Sequence, residues 1–133
     1  MAVIFNKDDV SKEALKDSVY IQRLITPGRV NSDSVLTEIW HIGPDSSIDF
    51  SISHEDMGWA HVLEGKAKLR IENIDTEINK DHFLLLPNGI DSKITSSDGA
   101  IIFRAIVPEA SRFDPNWRET VSAFSCVDWT NEP

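Results

Sequence analysis

Cysteine is almost absent from this chain of 133 residues, since Cys126 is the only one. A single cysteine excludes an internal disulfide, which fits a reducing compartment. Cys126 has no histidine near it in the sequence, so we interpret it as a buried or incidental thiol rather than a nucleophile. The length is enough for about one domain with its own core and no disulfide links.

Basic residues are also scarce. The chain has 13 Lys and Arg against 22 Asp and Glu, a net charge of -9. This balance argues against a nucleic-acid partner and against an anionic membrane surface, because both need a basic patch. The first residues turn acidic at Asp8, unlike a signal peptide, and no apolar run approaches the roughly 20 residues of a membrane span. We expect a cytoplasmic, soluble, acidic protein.

Long helical patterns are missing between Val19 and Pro108. Short runs rich in β-branched and aromatic residues follow one another there, separated by turn residues. Strands this short, at a spacing of roughly 8 to 12 residues, are typical of an all-β sandwich or barrel. With no repeat or linker, we treat residues 1–133 as one domain with a barrel core over about 19–108.

Two short helices are predicted outside the barrel. Residues 8–16 form the first, with Asp8, Asp9 or Ser11 as its cap. The second covers about 114–125, where Asp114 can cap the helix and Pro115 takes the first helical position. Its apolar face would pack on the barrel or on a partner subunit, an aromatic cofactor box being the alternative; that face consists of Trp117, Val121 and Phe124.

Alternation within the strands assigns their faces, because neighbouring side chains point to opposite sides. Around residue 50 the apolar set ends in a histidine, which we therefore expect on the core side; this set is Ile48, Phe50, Ile52 and His54. Further along, Ala60 and Val62 share the core face. The opposite face of that strand carries Trp59, His61 and Leu63.

Two motifs then resemble those of the cupins. The first is "VLEG" at 62–65, preceded by the turn and strand "GPDSSIDFSISH" at 43–54. The second is the Pro-x-Gly turn in "LLLPNG" at 84–89. The resemblance covers roughly residues 35–108 and implies an all-β, double-stranded β-helix (jelly-roll) barrel with short N- and C-terminal helices.

The resemblance also locates the metal ligands that many cupins carry. Their two histidines fall on Ile52 and His54, their glutamate on Gly58 and their last histidine on Ser92. Three of the four ligands are therefore absent, and one imidazole alone does not hold a divalent transition metal. We expect no metal and no cofactor.

Substitute ligands stay open as an alternative. Nearby carboxylates are those of Glu55, Asp56 and Asp91. A bulge near Gly58 would turn His61 from the opposite face toward the pocket, because one extra residue reverses the side chains that follow.

His54 is the first candidate for chemistry, because an imidazole can act as a general acid or base near neutral pH. The alternative is a histidine at the edge of the core, satisfied by the backbone. The second candidate is the pair Glu38 and Arg104, which interrupts two hydrophobic strands that are neighbours in cupins. It either lines the cavity, where Arg104 would hold a carboxylate or enolate oxygen, or forms an ion pair on the outer face.

A small molecule is the expected partner, bound inside the barrel. The predicted lining residues are Phe50, Ile52, Trp40, Val62 and Ser92. On the opposite side, the face with Trp59 commonly packs a second subunit in cupins, so a homodimer is expected. His41 and His82 are interpreted as surface or turn residues.

These observations lead to three alternative hypotheses for the function. The first is a metal-independent isomerase, epimerase, cyclase or lyase, with His54 as acid–base group, Arg104 or Ser92 steadying an oxyanion, and Glu38 orienting the histidine. The second is a non-catalytic binding or accessory protein. The third is an atypical metalloenzyme.

Overall fold

Antiparallel strands account for most of the chain. The structure is a computed structural model that describes residues 3–118 and 126–128. Within those residues the strands are β1 (Glu13–Lys16), β2 (Val19–Ile25), β3 (Leu36–Ile42), β4 (Ser46–Phe50), β5 (Met57–Ile71), β6 (Ile74–Asn79), β7 (His82–Leu86), β8 (Ser92–Ser96), β9 (Ala100–Val107) and β10 (Cys126–Asp128). One helical turn, α1 (Pro27–Val30), and 3-10 turns at Lys7–Asp9 and Ala110–Arg112 connect them. None of the helical segments among the described residues could span a membrane.

The strands form two sheets that share β5. The first has the order β1-β2-β3-β9-β5-β7-β10, and in the second β4 pairs with β8, β8 with β5 and β5 with β6. Strand β5 is 15 residues long. Its first part pairs with β7 and β9 and its second part with β6 and β8, so the sheet curls over on itself. The predicted all-β jelly-roll class is confirmed.

The core fills the inside of this curled sheet. Side chains that alternate along the strands meet there, which is why the period-2 pattern of the sequence sorted them correctly. Each fully buried Val, Leu or Ile contributes about 1.5–3 kcal/mol. The core residues are Val19, Ile21, Trp40, Ile42, Ile48, Ile52, Ala60, Val62, Ala67, Leu69, Ile78, Leu84, Leu86, Ile94, Ala100 and Ile102.

The predicted N-terminal helix is wrong. Residues 8–16 instead contain the end of a 3-10 turn and the edge strand β1, which pairs with β2. The side chain of Gln22 also fixes this segment, donating to the carbonyls of Lys7 (2.9 Å) and Val10 (3.0 Å). Tertiary pairing with β2 therefore overrides a local helical preference that had no apolar face to bury.

Most of the predicted C-terminal helix lies outside the described residues. Its beginning agrees with the expectation, because the Asp114 carboxylate accepts a hydrogen bond from the backbone N–H of Asn116 at 2.9 Å. The carbonyl of Asp114 accepts another from Trp117, whose side chain is buried.

Candidate functional site: an arginine cluster inside the barrel

Three charged residues lie side by side on the inner face of the first sheet. Arg23 on β2 is opposite Glu38 on β3, and Glu38 is opposite Arg104 on β9. Directly opposite residues share a face of the sheet. Two residues further along each strand, and therefore on the same face, Ile21, Trp40 and Ile102 are opposite one another in the core. Glu38 and Arg104 therefore point into the barrel, which decides between the two positions that the sequence left open.

Glu38 is the centre of this arginine cluster, defined as Arg23, Glu38 and Arg104. Its Oε1 accepts hydrogen bonds from Arg104 Nη2 at 2.7 Å and from the indole Nε1 of Trp40 at 2.9 Å. Its Oε2 lies 3.7 Å from Arg23 Nε, beyond ordinary hydrogen-bond length. The side chains of Arg104 and Glu38 are only 14% and 15% exposed. One carboxylate oxygen is thus saturated and the other is held loosely.

Arg104 is incompletely paired. Its guanidinium carbon lies 5.0 Å from the centre of the Trp40 ring, a cation–π contact. Its Nε is buried and has no hydrogen-bond partner among the described residues. Burial lowers the pKa of Arg104 below its ordinary value; the charge of Glu38 opposes this shift and the charge of Arg23 adds to it. Arginine stays charged at neutral pH even so, and the result is a largely desolvated cation whose Nε–H donor is unused.

This arrangement suits a planar oxyanion. Guanidinium groups bind carboxylates through two parallel hydrogen bonds, and such bonds strengthen where water is excluded. Within the cluster the two arginines outnumber the one carboxylate. Arg23 also contacts the carboxylate of Glu13 at 3.2 Å, and with that residue included the charges balance.

The positions of the usual metal ligands do not form a metal site. Ile52 is 1% exposed, and its Cδ1 would lie 2.9 Å from a Cβ placed on Gly58. The isoleucine therefore fills the space that a glutamate at position 58 would need. Ser92 is buried with its hydroxyl directed to the carbonyl of Ile90 at 3.3 Å. Across residues 3–118, no three His, Cys, Asp or Glu side chains are grouped to hold a metal ion.

His54 does not lie on the inner face, so that prediction is wrong. Strand β4 ends at Phe50, and after an isolated bridge between Ile52 and Asn88 the chain turns. His54 lies in this turn, exposed, with its ring against Gly89. Its carbonyl accepts a hydrogen bond from Arg118 Nη2 at 2.6 Å. The alternation that predicted an inward histidine stops with the strand.

His61 stays on the outer face of the barrel. The pairing of β5 with β9 is regular from Met57 to Val62, and its register shifts only between Val62 and Glu64. The bulge therefore comes after His61 and does not return it to the pocket. Its Nε2 lies 3.2 Å from the Asp81 carboxylate.

The predicted lining residues divide into two groups. Trp40, Ile52 and Val62 are buried members of the core. Phe50 is partly buried, with its ring centre 5.2 Å from that of Trp40. Phe50 and Ser92 also line a cavity of about 480 Å³ at the end of the second sheet. Phe50 thus connects an open cavity to the tryptophan that contacts Arg104.

Arg23 was missed by the sequence reasoning. The signal was available, because in "VYIQRLI" it follows Val19 and Ile21 on the same alternating face. A charge in that series is the same interruption that revealed Glu38 and Arg104. Only the register of β2 against β3 shows that the three meet.

Solved structures match the chain over most of its length. A predicted oxalate decarboxylase from Thermotoga maritima has a TM-score of 0.68 and 14% identity, covering 81% of this chain and 99% of that one. The polyketide cyclase RemF from Streptomyces resistomycificus has a TM-score of 0.68 and 19% identity, covering 81% and 80%. The cupin domain of Cnp3 from Schizosaccharomyces pombe has a TM-score of 0.65 and 12% identity, covering 97% and 85%.

These matches show that the chain has the cupin fold, as the sequence motifs implied. Identities this low establish the fold alone. No family model and no curated protein matches the sequence.

Proposed function

We propose that this protein binds a small organic carboxylate at the arginine cluster, without a bound metal ion. The observation that carries the proposal is the buried Nε of Arg104, which lacks an acceptor among the described residues. Leaving a buried donor unpaired costs about 1–3 kcal/mol. A carboxylate oxygen would remove that cost. The Arg104 side chain is 14% exposed, so it is not fully enclosed by the protein.

The geometry supports binding better than catalysis. A base that abstracts a proton needs a free carboxylate or imidazole close to the ligand. Oε1 of Glu38 already accepts hydrogen bonds from Arg104 and Trp40, so this oxygen is not free to accept a proton from a ligand. His54 lies in an exposed turn. Both properties favour a group that holds a ligand over one that transforms it.

Catalysis with His54 as acid–base group is the second candidate. It is favoured by the names of two structures of the same fold, a predicted oxalate decarboxylase and a polyketide cyclase. The two candidates differ in the fate of the ligand. A carboxylate that binds is followed by proton NMR over hours: unchanged signals support binding alone, whereas new signals that His54→Gln abolishes support the enzyme.

Binding is tested by titrating the protein with small carboxylates and with the corresponding amides, observed by NMR and calorimetry. Carboxylates are expected to bind and the uncharged amides to fail. The double variant Glu38→Gln/Arg104→Gln should lose binding while keeping the cluster free of an unpaired charge. Its matched control is Arg70→Gln/Asp75→Asn, which removes an exposed ion pair of 2.7 Å. Equal binding by the two double variants would refute the proposal.

Independence from metal has its own measurement. Elemental analysis of protein purified without a histidine tag should show no stoichiometric zinc, iron, manganese or nickel. The physical reason is that Ile52 and Gly58 offer neither ligand atoms nor space. Stoichiometric metal that persists through dialysis would contradict this part of the proposal.

A further inference from the structure

Arg23 has a second carboxylate partner, outside the cluster. Its Nη1 donates to Oε2 of Glu13 at 3.2 Å, whereas its contact with Glu38 is the looser one of 3.7 Å. Glu13 on β1 is opposite Ile21 on β2, so it shares the inner face of the sheet with Arg23. The arginine therefore lies between an inner and an outer carboxylate.

The two carboxylates are held very differently. Glu38 is 15% exposed and has three partners, two of them at hydrogen-bond distance. The side chain of Glu13 is 63% exposed, and that of Arg23 is 45% exposed. All four residues of β1 are exposed along the edge of the sheet. The outer ion pair is therefore a surface pair, which contributes little stability and opens readily, whereas displacing Glu38 would leave a buried charge unpaired.

We infer that Glu13 competes with the ligand for Arg23, and that the site consequently selects monocarboxylates. This inference rests on the proposed binding of a carboxylate at the cluster. The ligand carboxylate that accepts from Arg104 Nε also takes the place of the Glu13 carboxylate on Arg23, and Glu13 turns out into solvent. Affinity is then set partly by a residue that the ligand does not touch.

Charge balance explains why the site should prefer a ligand with one carboxylate to a ligand with two. Arg23 and Arg104 face Glu13 and Glu38, so the charges of the unliganded site sum to zero. A monocarboxylate replaces one anion by another at Arg23. A dicarboxylate brings a further negative charge close to Glu38 and to the displaced Glu13, with no additional cation in the cluster to offset it. The second carboxylate should therefore weaken binding.

Butyrate and succinate test this, since they have the same number of carbon atoms and differ by one carboxylate. Calorimetric titrations at low ionic strength compare the wild type, Glu13→Gln and Glu77→Gln. Glu77 is exposed on β6, and its replacement removes the same charge from the second sheet. We expect the wild type to prefer butyrate, Glu13→Gln to bind butyrate about two- to fivefold more tightly, and Glu77→Gln to match the wild type. Salt should reduce the gain.

A further variant assigns the effect to Arg23. In an Arg23→Gln background, Glu13→Gln should no longer tighten butyrate binding, because the arginine for which Glu13 and the ligand compete is absent. The inference is overturned if butyrate binds the wild type and Glu13→Gln equally, or if succinate binds the wild type more tightly than butyrate does. Either result leaves the proposed function standing. If no carboxylate binds the wild type, the proposed function itself fails, and the inference with it.

Discussion

At the scale of single residues, burying the Glu38–Arg104 pair has a desolvation cost that the attraction between the two charges must offset. Two charges have been moved largely out of water, and their attraction offsets that cost only while both are present. Arg104→Gln should therefore reduce the free energy of unfolding by about 3 kcal/mol, because it leaves the Glu38 carboxylate largely desolvated. The double variant Glu38→Gln/Arg104→Gln should recover much of the loss. Urea denaturation of the variants measures both.

The matched control is the exposed pair of Arg70 and Asp75, where Arg70→Gln should cost much less because water solvates the remaining carboxylate. A loss for Arg104→Gln no larger than for Arg70→Gln would mean that the inner pair is effectively solvated.

His41 provides a dependence of stability on pH. The amide nitrogen of Gln22 donates to two carbonyls, so its oxygen is the acceptor that faces His41 Nε2 at 2.6 Å. Burial lowers the pKa of His41 from its ordinary value of 6.5, and the charges of Lys12 and Lys7 lower it further. The unfolded chain therefore binds this proton more readily than the folded one.

The sign follows directly from the lowered pKa. The contribution of His41 is fully present above the ordinary pKa, and it is lost as the pH falls through the lowered folded-state pKa. We expect the free energy of unfolding to decrease from about pH 7 to about pH 5, and His41→Gln to flatten this slope. Urea denaturation across that range is the measurement. Identical slopes for the variant and the wild type would contradict the assignment.

At the scale of elements, the turn after β4 is held from several sides. The side chain of Asn88 donates to the carbonyl of Ser53 at 2.7 Å and to that of Asp56. The N–H of Ala110, beyond β9, donates to the carbonyl of Glu55 at 2.8 Å. His54 lies in this turn with its ring against Gly89, so the ring packs on the protein itself.

Gly89→Ala tests that packing. Gly89 has φ +69°, where a side chain costs about 1–2 kcal/mol, and its added methyl group would overlap the His54 ring. The substitution should destabilise the protein more in the wild type than in a His54→Ala background, where only the backbone strain remains. Thermal denaturation of the four proteins measures the difference. Gly28→Ala, which meets no atom within 4 Å, is the control. Equal losses in both backgrounds would show that the ring is free to move.

Elements with clear alternation were predictable from the sequence, and those that depend on pairing were not. Strands β2 to β9 lie within the stretch of 19–108 where the short β-rich runs predicted strands. The motif "VLEG" at 62–65 does not end a strand, because β5 continues through Gly65 to Ile71. Strand β1 has no apolar alternation of its own, and only its pairing with β2 specifies it.

The same limit applies to the candidate site. Glu38 and Arg104 were found because a charge in an apolar strand is a local signal. Their inward direction depends on the register of β3 against β9, which no local pattern contains. His54 was misplaced because "SISHED" has no glycine or proline to mark the end of the strand.

At the scale of the whole molecule, the fold restricts the function less than the site does, since one fold supports many activities. The cupin barrel provides an inner face, and the residues on it determine what it can hold. Here three of the four metal-ligand positions, Ile52, Gly58 and Ser92, are buried without ligand atoms for a metal, and His54 lies in an exposed turn. The arginine cluster begins on the strand next to Gly58, since Arg104 on β9 is opposite Ala60 on β5. The outer face of the first sheet is a separate surface with its own chemistry.

We propose that this outer face forms a homodimer, as the sequence predicts. Trp59 on β5 stacks on Phe83 with ring centres 4.7 Å apart, and lies 5.5 Å from Phe103 on β9. The rings of Trp59 and Phe103 are only partly buried in the single chain. Aromatic side chains of this kind are enriched in the centres of protein interfaces, where charged residues are depleted. A second copy would cover them by the same face, as two-fold symmetry requires.

Sedimentation velocity tests the assembly. The wild type should sediment as a dimer, and Phe103→Glu as a monomer, because a carboxylate at the centre of the interface would be buried without a partner. The control is Ile74→Glu, which adds the same charge to a residue that is 69% exposed on β6. Circular dichroism establishes that both variants remain folded, so that a monomer reflects a lost interface. A monomeric wild type, or a dimer that Phe103→Glu leaves intact, would place any self-association elsewhere.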